Sequence, residues 1–94
     1  MKDIRLDYSR NAEKFFEKHE DIREEFKRDV VKLITGDHPE QVNFKPLKGK
    51  LKGYSRIAIG GYRVIYMKSG DEIIVISVIY AGSRGDIYKH FGRV

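Results

Sequence analysis

Two adjacent glycines, Gly60 and Gly61, separate two runs of strand-forming residues, 54–59 and 62–67. A two-residue loop between antiparallel strands needs positive φ angles, and glycine adopts them at little steric cost. We therefore predict a β-hairpin with this turn at its tip. Because a two-residue loop fixes the register, it also decides which side chains share a face of the sheet.

The predicted register places Ala58 opposite Arg63 and Arg56 opposite Ile65. Arg56 and Arg63 then become diagonal neighbours on one face, within reach of a single anion. The other face is apolar and suits packing against helices, through Ile57, Ile59, Tyr62 and Val64. Two guanidinium groups held on strands can bind a phosphate bidentately, although a pair of solvated arginines without a ligand has the same sequence pattern. We expect this cationic face of the sheet to be open.

Apolar residues in the first forty positions recur at helical spacing. Ser9 offers an N-cap for a short amphipathic helix. Its apolar stripe comprises Ala12, Phe15 and Phe16. Asp21 and Glu24 resemble a capping box and predict the start of a second helix, while Gly36 predicts its end. The apolar face of this second helix comprises Ile22, Phe26, Val30 and Leu33.

Strand patterns flank the two helices. Ile4, Leu6 and Tyr8 alternate with polar residues, and residues 72–80 form a β-branched run typical of a central strand. Residues 83–91 suit either a short helix or an extended tail. The order β-α-α-β-β-β predicts an α+β two-layer sandwich, with a helical hairpin packed on one face of a mainly antiparallel four-stranded sheet. The 94 residues are expected to form one domain, residues 1–94.

Charge is segregated along the chain. Residues 1–40 hold 9 Lys+Arg against 11 Asp+Glu, a net charge of −2, whereas residues 41–94 hold 10 against 3, a net charge of +7. A region of one sign attracts polyanions, because Lys and Arg displace condensed counterions from phosphates. We expect a nucleic-acid partner, although a basic loop is also typical of ordinary solvated surface. The candidate contacts are Lys45, Lys48, Lys50, Lys52 and Lys89.

Several other classes of site are not expected. Cysteine is absent, which excludes disulfides and thiolate zinc sites and favours a reducing compartment, the cytoplasm. No apolar run has the length of a signal-peptide core or a membrane span, so we expect neither export nor a membrane partner. His19, His38 and His90 lack the spacing of a zinc pair, and no phosphate-binding glycine loop precedes a helix. We expect no metal and no cofactor.

Arg84 and Tyr88 stand four residues apart, directly after the predicted central strand. From this position both side chains could project over the cationic face. Arginine can hold a phosphate, and tyrosine can stack on a base or take part in proton transfer. The alternative is that Tyr88 is a packing aromatic of the tail.

Several segments in this order resemble a known family: Leu47-Lys48-Gly49, Gly53-Tyr54-Ser55-Arg56-Ile57, Gly61-Tyr62-Arg63-Val64-Ile65-Tyr66, residues 76–80, and Gly82-Ser83-Arg84 with Tyr88. They are similar to the RelE/ParE superfamily, the small toxins of bacterial and archaeal toxin–antitoxin pairs. The resemblance spans almost the whole chain. It implies a two-helix hairpin on an antiparallel sheet, which agrees with the layout read from periodicity.

The resemblance also implies an activity. RelE-like members cleave messenger RNA in the ribosomal A site without metal, by attack of a ribose 2′-hydroxyl on the adjacent phosphate, whereas ParE-like members poison DNA gyrase. We expect the first activity, a ribosome-dependent messenger RNA endonuclease that inhibits translation. By position, Arg63 would stabilise the phosphorane-like transition state. Arg56 would take the place of a strand lysine, and Tyr88 would orient or deprotonate the nucleophile.

Two departures from the nuclease pattern keep other functions open. Ala58 stands where a second strand lysine is expected, and Gly82 or Ser83 stands where a general-acid Arg or His is often found. Arg84 is a candidate for that acid from a shifted position. The alternatives are a ParE-like gyrase poison and a non-catalytic member that only binds its antitoxin. In every case the expected partner is an acidic, partly disordered antitoxin; the oligomeric state of the free toxin is left open.

Overall fold

The computed structural model describes residues 3–92. Its elements are, in chain order, β1 (Asp3–Tyr8), α1 (Arg10–Lys18), α2 (Glu20–Thr35), β2 (Asn43–Pro46), β3 (Ser55–Ile59), β4 (Tyr62–Ser69), β5 (Ile73–Ser83) and α3 (Arg84–Phe91). Short 3-10 turns at Pro39–Gln41 and Gly49–Leu51 flank β2. The predicted α+β class and the helical hairpin are confirmed.

The strands form a single sheet in the order β1-β5-β4-β3-β2. β1 runs parallel to β5, and the other neighbouring pairs are antiparallel. The sheet therefore has five strands, and the predicted number of four was wrong. The missing strand, β2, is only four residues long, is exposed throughout and ends at Pro46. A short exposed edge strand shows no apolar alternation, so periodicity does not reveal it.

The glycine turn sets the register that the sequence predicts. Ile59 pairs with Tyr62, Ala58 with Arg63, and Arg56 with Ile65. Gly60 takes φ 59°, the positive value that the turn needs.

α1 begins and α2 ends where expected, but α2 begins earlier than predicted. The Ser9 side chain accepts a hydrogen bond from the Ala12 backbone N, 3.2 Å, and Gly36 ends α2 in the left-handed region with φ 74°. The capping box was wrong: α2 starts at Glu20, and its N-cap, His19, makes no side-chain cap bond. Since α1 runs to Lys18, a single residue joins the two helices. Within residues 3–92 no helix is both long and apolar enough to cross a membrane.

The larger core lies between the helical hairpin and one face of the sheet. Its most buried residues come from α1, α2 and three strands: Ala12, Phe16, Phe26, Val30, Ile57, Val64, Ile76 and Val78. This confirms the predicted helix-facing sides of the hairpin strands and of both helices.

A second, smaller core lies on the opposite face of the sheet. Ile87 of α3 packs there against Ile65 of β4 and Leu47, and all three are buried. Residues 84–91 therefore form a helix, which decides the alternative that the sequence left open. The expectation of an open cationic face was wrong in part, because the apolar Ile65 shares that face with the arginines and α3 covers it.

Candidate active site

Arg56 on β3 and Arg63 on β4 project from the face opposite the helical hairpin. Their strand neighbours Ile57 and Val64 point into the larger core, so the alternation of side chains places the two arginines together on the other face. Burial, and then the positive charge of Arg63, lower the pKa of Arg56. The two guanidinium groups are thus electrostatic neighbours, as the predicted register requires.

Neutral oxygen atoms hold both guanidinium groups. Arg56 Nη1 donates to the side-chain Oδ1 of Asn43, 3.1 Å, and to its backbone carbonyl, 3.3 Å. Arg63 Nη1 donates to the carbonyl oxygens of Gly60, 3.1 Å, and Tyr62, 3.0 Å. Within residues 3–92 no carboxylate pairs with either arginine. The side chains are therefore positioned while their charges stay uncompensated.

Each arginine also retains unused hydrogen-bonding capacity. The Nε atoms of Arg56 and Arg63 are buried and have no partner among the described residues. A buried donor without an acceptor costs on the order of 1–3 kcal/mol. Fixed, uncompensated cations with spare donors are typical of a site for an anion.

Small residues flank Arg63 on both neighbouring strands. Ala58 of β3 and Gly82 of β5 are its cross-strand partners, and cross-strand partners share a face. A Cβ atom at Gly82 would lie 3.2 Å from the ring of Tyr80, so the space beside the glycine is already limited. Ala58 and Gly82 thus contribute no bulky side chain of their own next to Arg63, and the ring of Tyr80 lies beside Gly82.

The start of α3 is fixed to the turn of the β3–β4 hairpin. The backbone N of Arg84 donates to the carbonyl of Gly61, 2.9 Å. Ser83 caps the helix, its side chain accepting from the Asp86 backbone N at 3.1 Å. With Ile87 packed in the smaller core, these contacts hold α3 beside the two arginines.

Tyr88 lies where all three arginines influence its hydroxyl. Arg84 Nε donates to the Tyr88 hydroxyl, 3.0 Å, and its guanidinium carbon stands 5.3 Å from the centre of the tyrosine ring. This hydrogen bond is the main cause that lowers the pKa of Tyr88, and the charges of Arg84, Arg63 and Arg56 lower it further against an opposing effect of desolvation. A tyrosine with a lowered pKa is a better proton acceptor near neutral pH.

The five lysines predicted to contact nucleic acid lie in exposed positions around this face. Lys45 on β2 pairs with Arg56 across the strands and shares its face. Lys48, Lys50 and Lys52 lie in and beside the 3-10 turn Gly49–Leu51, whose Leu51 packs on the smaller core together with Tyr88. Lys89 follows Tyr88 on α3. The structure thus brings Arg56, Arg63, Arg84 and Tyr88 together and leaves the lysines at the periphery.

Sequence reasoning missed the groups that orient the arginines. Asn43 belongs to β2, the strand that periodicity did not reveal, and the carbonyl groups of Gly60 and Tyr62 have no side-chain signal. His90 is stacked on Tyr80 with ring centroids 5.1 Å apart. In the described part of the chain, no group of three or more His, Asp or Glu residues is placed to hold a metal ion.

A family model matches residues 6–85 of the chain, most of its length; it describes the ParE toxin of the type II toxin–antitoxin system, parDE. By sequence comparison alone, no curated protein gives a significant match.

Solved structures share the fold at low identity. YafQ from E. coli strain BL21(DE3) is 21% identical, with a TM-score of 0.61, and the match covers 94% of this chain and 99% of YafQ. For a chain of the RelB–RelE antitoxin–toxin complex from Methanococcus jannaschii the identity is 22% and the TM-score 0.60, and the match covers 90% of this chain and 98% of that one. The YoeB/ParE toxin from Agrobacterium tumefaciens is 19% identical, with a TM-score of 0.58, and the match covers 84% of this chain and 96% of that toxin.

Proposed function

This chain belongs to the family of ParE toxins of type II toxin–antitoxin systems, within the RelE/ParE superfamily, and we propose that it is a ribosome-dependent, metal-independent messenger RNA endonuclease that inhibits translation. One observation carries the proposal: a tyrosine with a lowered pKa stands beside uncompensated arginines on one face of the sheet. That combination supplies a proton acceptor and an anion site to the same substrate.

The chemistry needs only groups of the chain and of the RNA. Tyr88, in its deprotonated phenolate form, takes the proton of a ribose 2′-hydroxyl, whose oxygen then bonds to the adjacent phosphorus. Arg63 and Arg56 stabilise the negative charge that develops on the phosphorane-like transition state. The bond to the 5′-oxygen breaks, leaving a 2′,3′-cyclic phosphate and a 5′-oxygen that takes up a proton. Arg84 orients Tyr88 and is the candidate donor of that proton.

The fixed geometry of the arginines supports this role. Their hydrogen bonds to Asn43, Gly60 and Tyr62 position the guanidinium groups before any substrate arrives. Donors that are already oriented stabilise a transition state without further reorganisation, and removal of one such group typically lowers the rate by about 10²–10³-fold.

The proposed partners follow from the charge of the site. A message in the ribosomal A site is the substrate, and the ribosome holds it in a reactive conformation. An acidic antitoxin neutralises the basic face, as the complex of similar fold from Methanococcus jannaschii, a RelB–RelE antitoxin–toxin complex, suggests by its composition. Both partners place the protein in the cytoplasm.

Primer-extension mapping of translated messages after induction tests the proposal. Wild-type protein should produce new cleavage sites and arrest growth, and Arg63→Ala should abolish both. Arg28→Ala, an exposed α2 arginine paired with Glu25, is a matched control that should cleave like the wild type. Absence of new cleavage by the wild type, or equal cleavage by Arg63→Ala, contradicts the proposal.

A DNA gyrase poison is the second candidate, because the matching family model is that of the ParE toxin and Ala58 replaces a strand lysine. Purified protein would then stabilise gyrase–DNA cleavage complexes and leave messages intact. Expression without growth arrest would instead indicate a member that only binds its antitoxin.

A further inference from the structure

A groove opens between α1 and the start of α3, on the far side of β5 from Arg63. Its volume is ≈ 330 Å³, and its lining includes Lys14, Lys18, His19, Tyr62, Gly82 and Asp86. None of these residues belongs to the set Arg56, Arg63, Arg84 and Tyr88.

The groove exists because β5 extends beyond its neighbour β1. Pairing between them stops at Tyr8 and Val78, whereas β5 continues to Ser83. Among the described residues, no strand pairs with residues 81–83 on that side, and Asn11 Oδ1 accepts from the Ala81 backbone N at 3.1 Å. The end of β5 therefore lines the groove instead of pairing with another strand.

The α1 side of this groove is basic. Lys14 and Lys18 stand one helical turn apart and are exposed, and neither pairs with a carboxylate within residues 3–92. Asp86 is the carboxylate on the α3 side of the lining. The lining thus carries a net positive charge, which favours a ligand with negative charge spaced along it.

Next to these lysines lies a cluster of aromatic rings. Phe15 and His19 are stacked with ring centroids 4.4 Å apart, and His19 approaches Tyr62 at 4.9 Å. All three side chains are half-buried, so the rings pack on one another and still present part of their surface. Basic side chains beside exposed aromatic rings are the combination that binds single-stranded nucleic acid, since phosphates meet the cations and bases stack on the rings.

The groove borders the surface around Arg63. Gly82 lines the groove and is also the cross-strand partner of Arg63, and Tyr62, the residue before Arg63, lines it too. The ring of Tyr80, another lining residue, lies 3.2 Å from where a Cβ atom of Gly82 would be. A strand of nucleic acid whose phosphate lies at Arg63 would therefore pass the Tyr80 ring on its way to α1.

We infer that this groove binds single-stranded RNA flanking the scissile phosphate, with Lys14 and Lys18 contacting phosphates and the His19–Tyr62 surface receiving a base. The inference rests on the proposed function, and it names a substrate-binding subsite on α1 that the charge pattern of the sequence does not indicate, because residues 1–40 are net acidic.

Equilibrium binding of a fluorescent single-stranded RNA tests the subsite. The probe is a ten-nucleotide RNA with 2′-O-methyl groups, which 2′-hydroxyl attack cannot cleave. The double variant Lys14→Ala/Lys18→Ala should bind it about tenfold more weakly. The slope of the logarithm of the binding constant against the logarithm of the salt concentration should decrease in magnitude by about 1.4, the value for two lost phosphate contacts to a single strand. Lys27→Ala/Lys32→Ala on α2 removes the same charge elsewhere and should change binding less than twofold. Thermal unfolding checks that both variants fold.

The outcomes separate this inference from the proposed function. Equal binding by the groove variant and the α2 control, or no measurable binding by the wild type, overturns the subsite even if messages are cleaved. Selective weakening by the groove variant supports the subsite. If the wild type shows that selective binding but cleaves no message, the nuclease proposal fails and the binding site stands.

Discussion

The Nε atom of Arg84 donates a 3.0 Å hydrogen bond to the hydroxyl of Tyr88, one turn further along α3. The bond links the two α3 residues of the candidate site to each other, while the backbone N of Arg84 donates a hydrogen bond to the carbonyl of Gly61 in the hairpin turn. Tyr88 is consequently oriented from the same turn that orients Arg63. The protonation of Tyr88 then depends on a neighbour that can be removed by mutation.

Arg84→Ala should move the pH dependence of cleavage to higher pH. Arg84 lowers the pKa of Tyr88, so its loss lets that pKa rise towards its ordinary value and reduces the deprotonated fraction at neutral pH. The rate at pH 7 should fall about tenfold for each unit by which the pKa rises. Single-turnover cleavage on programmed ribosomes between pH 6 and pH 9 measures this shift. Tyr88→Phe should lack the rise of the rate with pH if Tyr88 is the base, and an unchanged profile in Arg84→Ala would show that Arg84 does not set the pKa of the base.

Arg63→Ala should reduce the single-turnover rate on ribosomes by about 10²–10³-fold. Arg63→Lys should retain an intermediate rate, because an ammonium group keeps the charge but cannot form the planar two-point contact. Thermal unfolding of both variants should stay close to that of the wild type. If Arg63→Lys loses as much activity as Arg63→Ala, the contact geometry matters more than the charge.

Asp29→Asn should stabilise the protein at neutral pH. Asp29 is 7% exposed, and burial together with Glu25 raises its pKa to about 6 despite the opposing charges of Lys32 and Arg28. A raised pKa means that the folded state favours the protonated carboxyl group. Its contribution to the free energy of unfolding is therefore fully present below about pH 4 and is lost as the pH rises through about 6. The variant should gain up to about 3 kcal/mol over the wild type at pH 8.

Urea unfolding at pH 4 and pH 8 measures that gain. The difference between Asp29→Asn and the wild type should be small at pH 4 and largest at pH 8. A difference that is the same at both values would show that Asp29 titrates normally in the folded protein.

Ile87→Ala should loosen α3 more than the rest of the fold. Ile87 is fully buried against Leu47 and Ile65, and truncation of such a residue typically costs about 2–5 kcal/mol. Amide hydrogen exchange should accelerate across α3 while the central strands stay protected, and cleavage should fall because Tyr88 loses its position. Ile87→Val, a smaller truncation, is the graded control. Equal acceleration in α3 and β5 would mean that the smaller core is not a separate unit.

The sequence predicted best what short-range geometry determines. Gly60 and Gly61 leave a loop of only two residues, so the pairing of Arg63 with Ala58, and the shared face of Arg56 and Arg63, follow without knowledge of the rest of the fold. The helix-facing residues were likewise visible, because Phe16, Phe26 and Val30 repeat at helical spacing and are buried.

Features that depend on distant partners were not predictable in the same way. β2 forms because β3 offers it an edge, and its own residues are all exposed. α3 forms over a sheet face whose apolar Ile65 needs cover, a requirement that residues 84–91 do not encode by themselves. The apparent capping box at Asp21 failed because α1 runs directly into α2 through His19.

The two-glycine turn has a genetic consequence. One inserted residue there either lengthens the two-residue loop or slips the register of β4 by one position, and the slip would exchange its two faces, turning Arg63 inward and Val64 outward. The carbonyl that anchors the first residue of α3 would shift with it. Some cells that escape growth arrest should therefore carry short in-frame insertions or deletions at codons 60 and 61. Such mutations would inactivate the toxin although every reactive side chain is still encoded.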